Sequence, residues 1–267
     1  MLGDITLGQF YPANSVVHKI DPRIKIVLTI ALIVGLFVAH SIYSYLACFG
    51  FIAVAVALSK VPVSFIFKGL KPILFIMLFT AIINVFFTDG RILFKLGFIR
   101  VTYEGLSVAA IMVFRLFLLV TITSLLTLTT SPIMLTDGIE CLLKPLRVIK
   151  VPAHEIAMMM TIALRFIPTL MEETDKIIKA QSARGADFTT GSLLSRAKAM
   201  IPILIPLFIS SFRRADELAT AMECRCYKGG DGRTKLKVLK LSTRDFVALA
   251  LIIVLILVIV LLNIFVG

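Results

Sequence analysis

Cysteine and histidine are both scarce in this chain of 267 residues, with four of the first (Cys48, Cys141, Cys224, Cys226) and three of the second (His18, His40, His154). Apart from the pair at 224 and 226 they are scattered. No disulfide framework is implied, and a zinc site would need further ligands at suitable spacing. No metal and no cofactor are expected. An apolar core is also missing from residues 1–23, which include Asp4, Asp21 and Pro22, so no cleavable signal peptide is read there. The one glycine-rich stretch, Gly229-Gly230-Asp231-Gly232-Arg233-Thr234, has neither the Lys-Ser/Thr ending nor the preceding strand of a phosphate loop. It reads as a flexible turn, and the chain offers no visible site for hydrolysing ATP. Acidic side chains number 16 against 28 Lys and Arg, a net charge of +12. In so apolar a chain this excess points to loops on the cytoplasmic side of a membrane, and no nucleic-acid partner is expected.

What the chain has in quantity is apolar sequence: 59% hydrophobic residues and a mean hydropathy of +1.00. A soluble domain is nearer half apolar. Several runs approach the roughly 20 residues a helix needs to cross the hydrocarbon core. The alternation of a membrane barrel is absent, and open strands would leave backbone groups unsatisfied in lipid. The expected fold is all-α: a polytopic membrane protein with about five transmembrane helices and long cytoplasmic coupling helices.

The spans are read as Ile26–Ala39, which is short, then Tyr43–Leu58, Pro72–Phe87, Gly105–Thr129 and Phe246–Val266. Asp21 can cap the first helix, with Pro22 in its first turn. Lys60, Lys68 and Lys71 around Pro62 mark a loop and an interfacial step, and Thr88-Asp89-Gly90 a turn. Residues 131–245 hold 18 of the 28 basic and 12 of the 16 acidic side chains, which assigns them to the cytoplasm together with the amino terminus. The expected organisation is a membrane domain with four spans at 1–130, a cytoplasmic coupling-helix domain at 131–245 and a last transmembrane helix at 246–267.

Three helices are expected in the middle region, over about 132–144, 152–183 and 192–226, with Pro168, Pro202 and Pro206 kinking or breaking the long ones. Both long helices start apolar, at Met158-Met159-Met160 and at Ile201 to Phe208. Both finish on an arginine between small residues: Ala183-Arg184-Gly185 and Cys224-Arg225-Cys226. When the two arginines, 41 residues apart, are superimposed, Asp175 falls on Asp216 and Ala180 on Ala221. One such arginine would be an ordinary cation at a helix carboxyl end. Two after similar helices point to a paired device that engages a two-lobed partner. Cys226 stands where a terminating glycine is expected, which predicts a less sharp end to the second tip. A redox or metal role for Cys224 and Cys226 is the minor alternative.

Arg115 lies about ten residues into the fourth span, where an unpaired charge is costly. Either it belongs to a functional site, or it bonds helix-end carbonyls, Asp21 or Glu155. A stand-alone secondary transporter would show such residues or broken helices in matched halves, and only Arg115 fits. An intramembrane enzyme built on Arg115, His154 and Glu155 lacks any assembly of nucleophile, base and oxyanion donors. His154-Glu155 and Arg165 read instead as residues that knit helices together.

Four stretches carry a family resemblance: Asp21-Pro22-Arg23, Ile162 to Pro168, Ala180 to Phe188 and Arg214 to Tyr227. Over nearly its whole length the chain resembles the transmembrane T component of energy-coupling factor transporters, which import vitamins and metal ions in prokaryotes. The family's second motif usually reads Ala-Arg-Gly, where this chain has Cys-Arg-Cys. The resemblance implies a non-catalytic subunit of the prokaryotic cell membrane. Its partners would be two ABC-type ATPase subunits and a small membrane-embedded substrate-binding subunit. Arg184 and Arg225, with Ala183, Gly185, Cys224 and Cys226, would dock into grooves on the two ATPases. Met158, Met159, Met160, Ile201, Ile205 and Phe208 would line the surface for the substrate-binding subunit, where flexible methionines suit exchangeable partners.

Overall fold

A computed structural model describes residues 10–96, 99–150, 152–186, 188, 192–229, 239 and 241–266. Residues 1–9, Asp187 and Gly230 to Thr234, on which parts of the sequence reading fall, lie outside that set. The described chain is helical: α1 (Pro22–Val38), α2 (Ile42–Ser59), α3 (Val63–Leu70), α4 (Leu74–Phe87), α5 (Tyr103–Thr129), α6 (Pro132–Leu143), α7 (Ala153–Ala183), α8 (Leu193–Cys224) and α9 (Thr243–Val266). Strands β1 (Ile92–Leu96) and β2 (Ile99–Thr102) form an antiparallel hairpin in the expected connection between α4 and α5. Of the loop and interfacial step expected around Pro62, Lys60 to Pro62 form the loop and the step is the eight-residue helix α3, which meets α4 at a bend of 59°. Among the described residues, α2, α5, α8 and α9 are long and apolar enough to cross a membrane, and α3 with α4 would make a fifth as one bent span. Helix α1, at 17 residues, is about 26 Å long and marginally short. The fold is that of an all-α multi-pass membrane protein.

Two compact bodies divide the chain, one of Gly8–Gly138 with Val238–Gly267 and one of Met1–Leu7 with Ile139–Lys237. The first is a bundle of α1, α2, α5 and α9 with α3 and α4 on α5. Its core is Leu36, Cys48, Ile52, Leu118, Ile122 and Ile259, each 3% exposed or less. Polar residues close this core at both ends. At one end Asp21 caps α1, accepting from Arg23 N at 2.9 Å, while Pro22 fills the first helical position. The Asp245 carboxylate accepts from Asp21 N at 2.8 Å and Ser242 N at 2.7 Å, tying the starts of α1 and α9 together. Lys25 Nζ donates to Thr129 O at 2.9 Å, His18 O at 3.2 Å and Thr130 Oγ1 at 3.3 Å, so its buried ammonium uses all three protons. Burial works against the Asp21 carboxylate, but hydrogen bonds from Arg23 and its charge prevail and hold the carboxyl below its ordinary range.

At the other end Asn263 bridges α1 and α2. Its Oδ1 accepts from His40 N at 3.2 Å and Ser44 Oγ at 3.0 Å, and its Nδ2 donates to Val38 O at 2.7 Å. Arg115 joins this layer through Tyr45, whose hydroxyl accepts from Nε at 3.0 Å and from Nη2, and through Ala39 O at 3.5 Å. Its guanidinium also lies over the rings of Phe37 and Tyr45, at 5.8 and 5.5 Å. Asp21 to Ala39 and Asp245 to Asn263 are both 18-residue steps, about 27 Å of helix, close to the ~30 Å of a hydrocarbon core. Arg115 is therefore level with the turn between α1 and α2. The first twelve residues of α5 run beyond that turn. Its partners are a hydroxyl and a helix-end carbonyl, as one of the sequence alternatives held, and Asp21 sits at the opposite end of α1.

Candidate functional site: two arginine-tipped helices

The second body is organised by α7 and α8, of 31 and 32 residues. Both run unbroken through their prolines, so of the expected kinks or breaks the breaks do not occur. A helix-internal proline leaves the carbonyl four residues back without its donor. For Pro206 that carbonyl belongs to Pro202, and Gln181 Nε2 of α7 approaches it at 3.5 Å. Further along, Glu173 Oε2 accepts from Arg214 Nη2 at 2.7 Å, and Glu173 Oε1 accepts from Ser210 Oγ. Phe166 shares the wall of a cavity with Ser210, Glu217 and Leu218. As the α7 number falls from 181 to 166 its partner number rises from 202 to 218, so the helices pack antiparallel. At the start of α7, His154 Nδ1 lies 3.1 Å from Glu140 Oε1, which gives His154 the knitting role expected of it. Arg165 is exposed.

Each helix ends on its arginine. Arg184 is the carboxyl cap of α7; Gly185 N donates to Ser182 O at 3.0 Å and Ala186 N to Gln181 O at 3.0 Å, with Gly185 at φ +87°. Arg225 is the cap of α8; Cys226 N donates to Glu223 O at 2.8 Å and Tyr227 N to Met222 O at 3.0 Å, with Cys226 at φ +55°. Both ends are the same Schellman motif. The blunter second tip expected from Cys-Arg-Cys is thus not found. Cys226 takes the left-handed conformation at a cost of roughly 1–2 kcal/mol that glycine avoids, and the helix stops as sharply. Ala183, Arg184, Gly185, Cys224, Arg225 and Cys226 are all exposed. Among the described residues neither guanidinium makes a hydrogen bond or an ion pair. No group of three or more His, Cys, Asp or Glu side chains there could hold a metal ion.

The apolar candidates separate into two patches. Ile201, Ile205 and Phe208, with Phe212, follow the spacing of one helix stripe and are 49%, 54%, 65% and 60% exposed. Phe208 and Phe212 rings lie 5.1 Å apart. Ile203, on the opposite side of α8, is buried. Met159 and Met160 are exposed and Met158 half-buried, on the first turns of α7. With the helices antiparallel, these methionines lie towards the Arg225 end and the α8 stripe towards the Arg184 end. Glu173, Ser210 and Arg214 were not anticipated as a group. The signal was present, since superimposing the arginine tips also superimposes Glu173 on Arg214.

The family model described as cobalt transport protein, CbiQ, matches residues 13–236. A protein of Clostridium kluyveri is 60% identical over 250 residues, 93% of each chain, and one of Ruminiclostridium cellulolyticum is 59% identical over 245 residues, 92% of each. A protein of Bacillus subtilis is 49% identical over 247 residues, covering 92% of this chain and 93% of its own. All three carry the name energy-coupling factor transporter transmembrane protein EcfT. The matched region spans both arginine tips and the bundle from its first helix through α8. This chain therefore belongs to the family of transmembrane components of energy-coupling factor transporters.

Proposed function

We propose that the chain is the non-catalytic coupling subunit of an importer, joining two ABC-type ATPase subunits to a small membrane-embedded subunit that binds a vitamin or another micronutrient. The observation that carries this reading is the pair of arginines at identical helix caps, both exposed and both without a partner among the described residues. A narrow cap with a cation at its end suits a groove on another protein, because small flanking residues let the guanidinium reach in and pair bidentately. ATP-driven closure of the ATPase pair would then move both tips. The stripe of Ile201, Ile205 and Phe208 and the patch at Met158 to Met160 are the proposed seats for the substrate-binding subunit.

On this reading α7 and α8 lie on the cytoplasmic side, with the amino terminus. Helix α8 is long and apolar enough to span by its overall length and composition, but its uncharged part runs only from Ala199 to Phe212, about 21 Å of helix against a ~30 Å core. Arg213, Arg214, Asp216 and Glu217 follow it at once. Epitope tags reachable from the other side would contradict this orientation. The main test is Arg184→Glu with Arg225→Glu in the full chain. The double variant is expected to insert normally yet lose co-purification of the ATPase subunits and ATP-driven uptake. Normal uptake by a correctly inserted double variant refutes the reading.

A further inference from the structure

The bridge between α7 and α8 occupies a special place relative to the tips. Glu173 is 11 residues before Arg184, and Arg214 is 11 residues before Arg225. Because the helices run antiparallel, the two tips lie on opposite sides of the bridge. Each is about 16 Å away along its own helix, and up to roughly 33 Å of helix axis separates them. The bridge is a set of directional polar bonds: Glu173 holds Arg214 at 2.7 Å and accepts from Ser210 as well. Beside it opens a groove of about 550 Å³, lined by Phe166, Ser210, Arg213, Arg214, Glu217 and Leu218. Of the described α7 and α8 side chains, only Ala153, Ala157 and Ile203 are buried hydrophobics. The bridge is thus the strongest polar tie in an antiparallel seam whose other apolar side chains, such as Leu170 and Leu207, are only part-buried.

We infer that Glu173, Ser210 and Arg214 are the fulcrum of the pair. They are positioning residues that lock the register of the antiparallel pair midway between the two docking arginines and so set the spacing of the tips. The inference rests on the coupling reading above and adds a residue-level account of how two tips act as one body. A rigid spacing lets the second tip bind at high effective concentration once the first is docked, and a loose joint forfeits that gain.

The test measures binding of a purified ABC-type ATPase pair, taken from the source of this chain, to the full chain in lipid nanodiscs. Glu173→Arg puts two like charges together at the bridge. It is expected to weaken binding of the pair about tenfold, a fraction of the avidity that linked sites provide. The same change in a chain already carrying Arg225→Glu, where a single tip remains, is expected to leave binding within twofold. Glu173→Arg with Arg214→Glu, which restores the pair reversed, is expected to recover most of the loss. Glu173→Gln, which keeps shape and some hydrogen bonding, should lose about threefold and guards against misfolding of the charge-reversed chain. An equal loss in the one-tip and two-tip chains, no loss at all, or no recovery in the reversed pair overturns the fulcrum. If Arg184→Glu and Arg225→Glu themselves leave binding unchanged, the coupling reading falls as well, so the two failures are distinct.

Discussion

The bundle is built around a buried apolar core, and the α7–α8 pair has almost none. In the bundle, Leu36, Leu118 and Cys48 are wholly buried, and polar side chains close both ends of the core. In the pair, the largest apolar side chains face outward: Phe208, Phe212, Ile205 and Met159 are all more than half exposed. The bundle also exposes large apolar side chains, Phe37, Phe75 and Phe87 among them, but around a closed core. The pair presents a stripe, a patch and two cations that its own described residues leave uncovered. In a membrane, burial between helices gains little over lipid, so packing and polar bonds rather than water exclusion hold the bundle. The same logic makes an exposed stripe cheap wherever lipid or a membrane partner covers it.

The contrast breaks most visibly at the polar closure. Asp245→Ala leaves a buried backbone donor at Asp21 and a part-buried one at Ser242 without their acceptor, and is expected to cost about 3 kcal/mol. It should appear as a clear fall in the thermal unfolding midpoint of the detergent-solubilised chain. Asp245→Asn, which keeps one acceptor oxygen, should recover about half. Next, Leu118→Ala opens a void in the bundle and is expected to cost about 2 kcal/mol. Phe208→Ala, of similar size but exposed, should change the midpoint of the isolated chain by no more than about 0.5 kcal/mol. If the two substitutions cost alike, the bodies are not built differently. The smallest effects test the likeness of the tips. Gly185→Ala should destabilise the end of α7 by about 1 kcal/mol, and Cys226→Gly should stabilise the end of α8 by a similar amount. Amide exchange in the last turn of each helix would measure both. Opposite signs are the expected result, because one residue suits the left-handed conformation and the other endures it.

Much of the architecture was legible in local sequence. Asp21 with Pro22 started α1 as expected, and the ends of α7 and α8 fell on Ala183 and Cys224, at or within two residues of where their arginine motifs had marked them. Caps act over four or five residues, so a short motif contains the whole interaction. The depth of Arg115 was less legible. Counting from the start of its span gave its place along α5 but not that the α1–α2 turn lies level with it, with twelve residues of α5 before it. Only the lengths of neighbouring helices reveal that. The stretch around Pro62 reads as a loop and an interfacial step since three lysines interrupt the hydropathy, and α3 forms the step because Ile66 and Leu70 find a buried seat against Leu128.

What the residues determined unaided was the class, the helix ends and the two tips, all of them consequences of hydropathy and of bonds between near neighbours in the chain. Tertiary structure alone decided the partners: Tyr45 for Arg115, 70 residues away, Asp245 for the cap of α1, and Arg214 for Glu173. The reason is one of range. A charge announces its need for a partner wherever it stands, but which partner it meets depends on how whole helices pack, and that is a property of surfaces assembled from distant stretches of the chain.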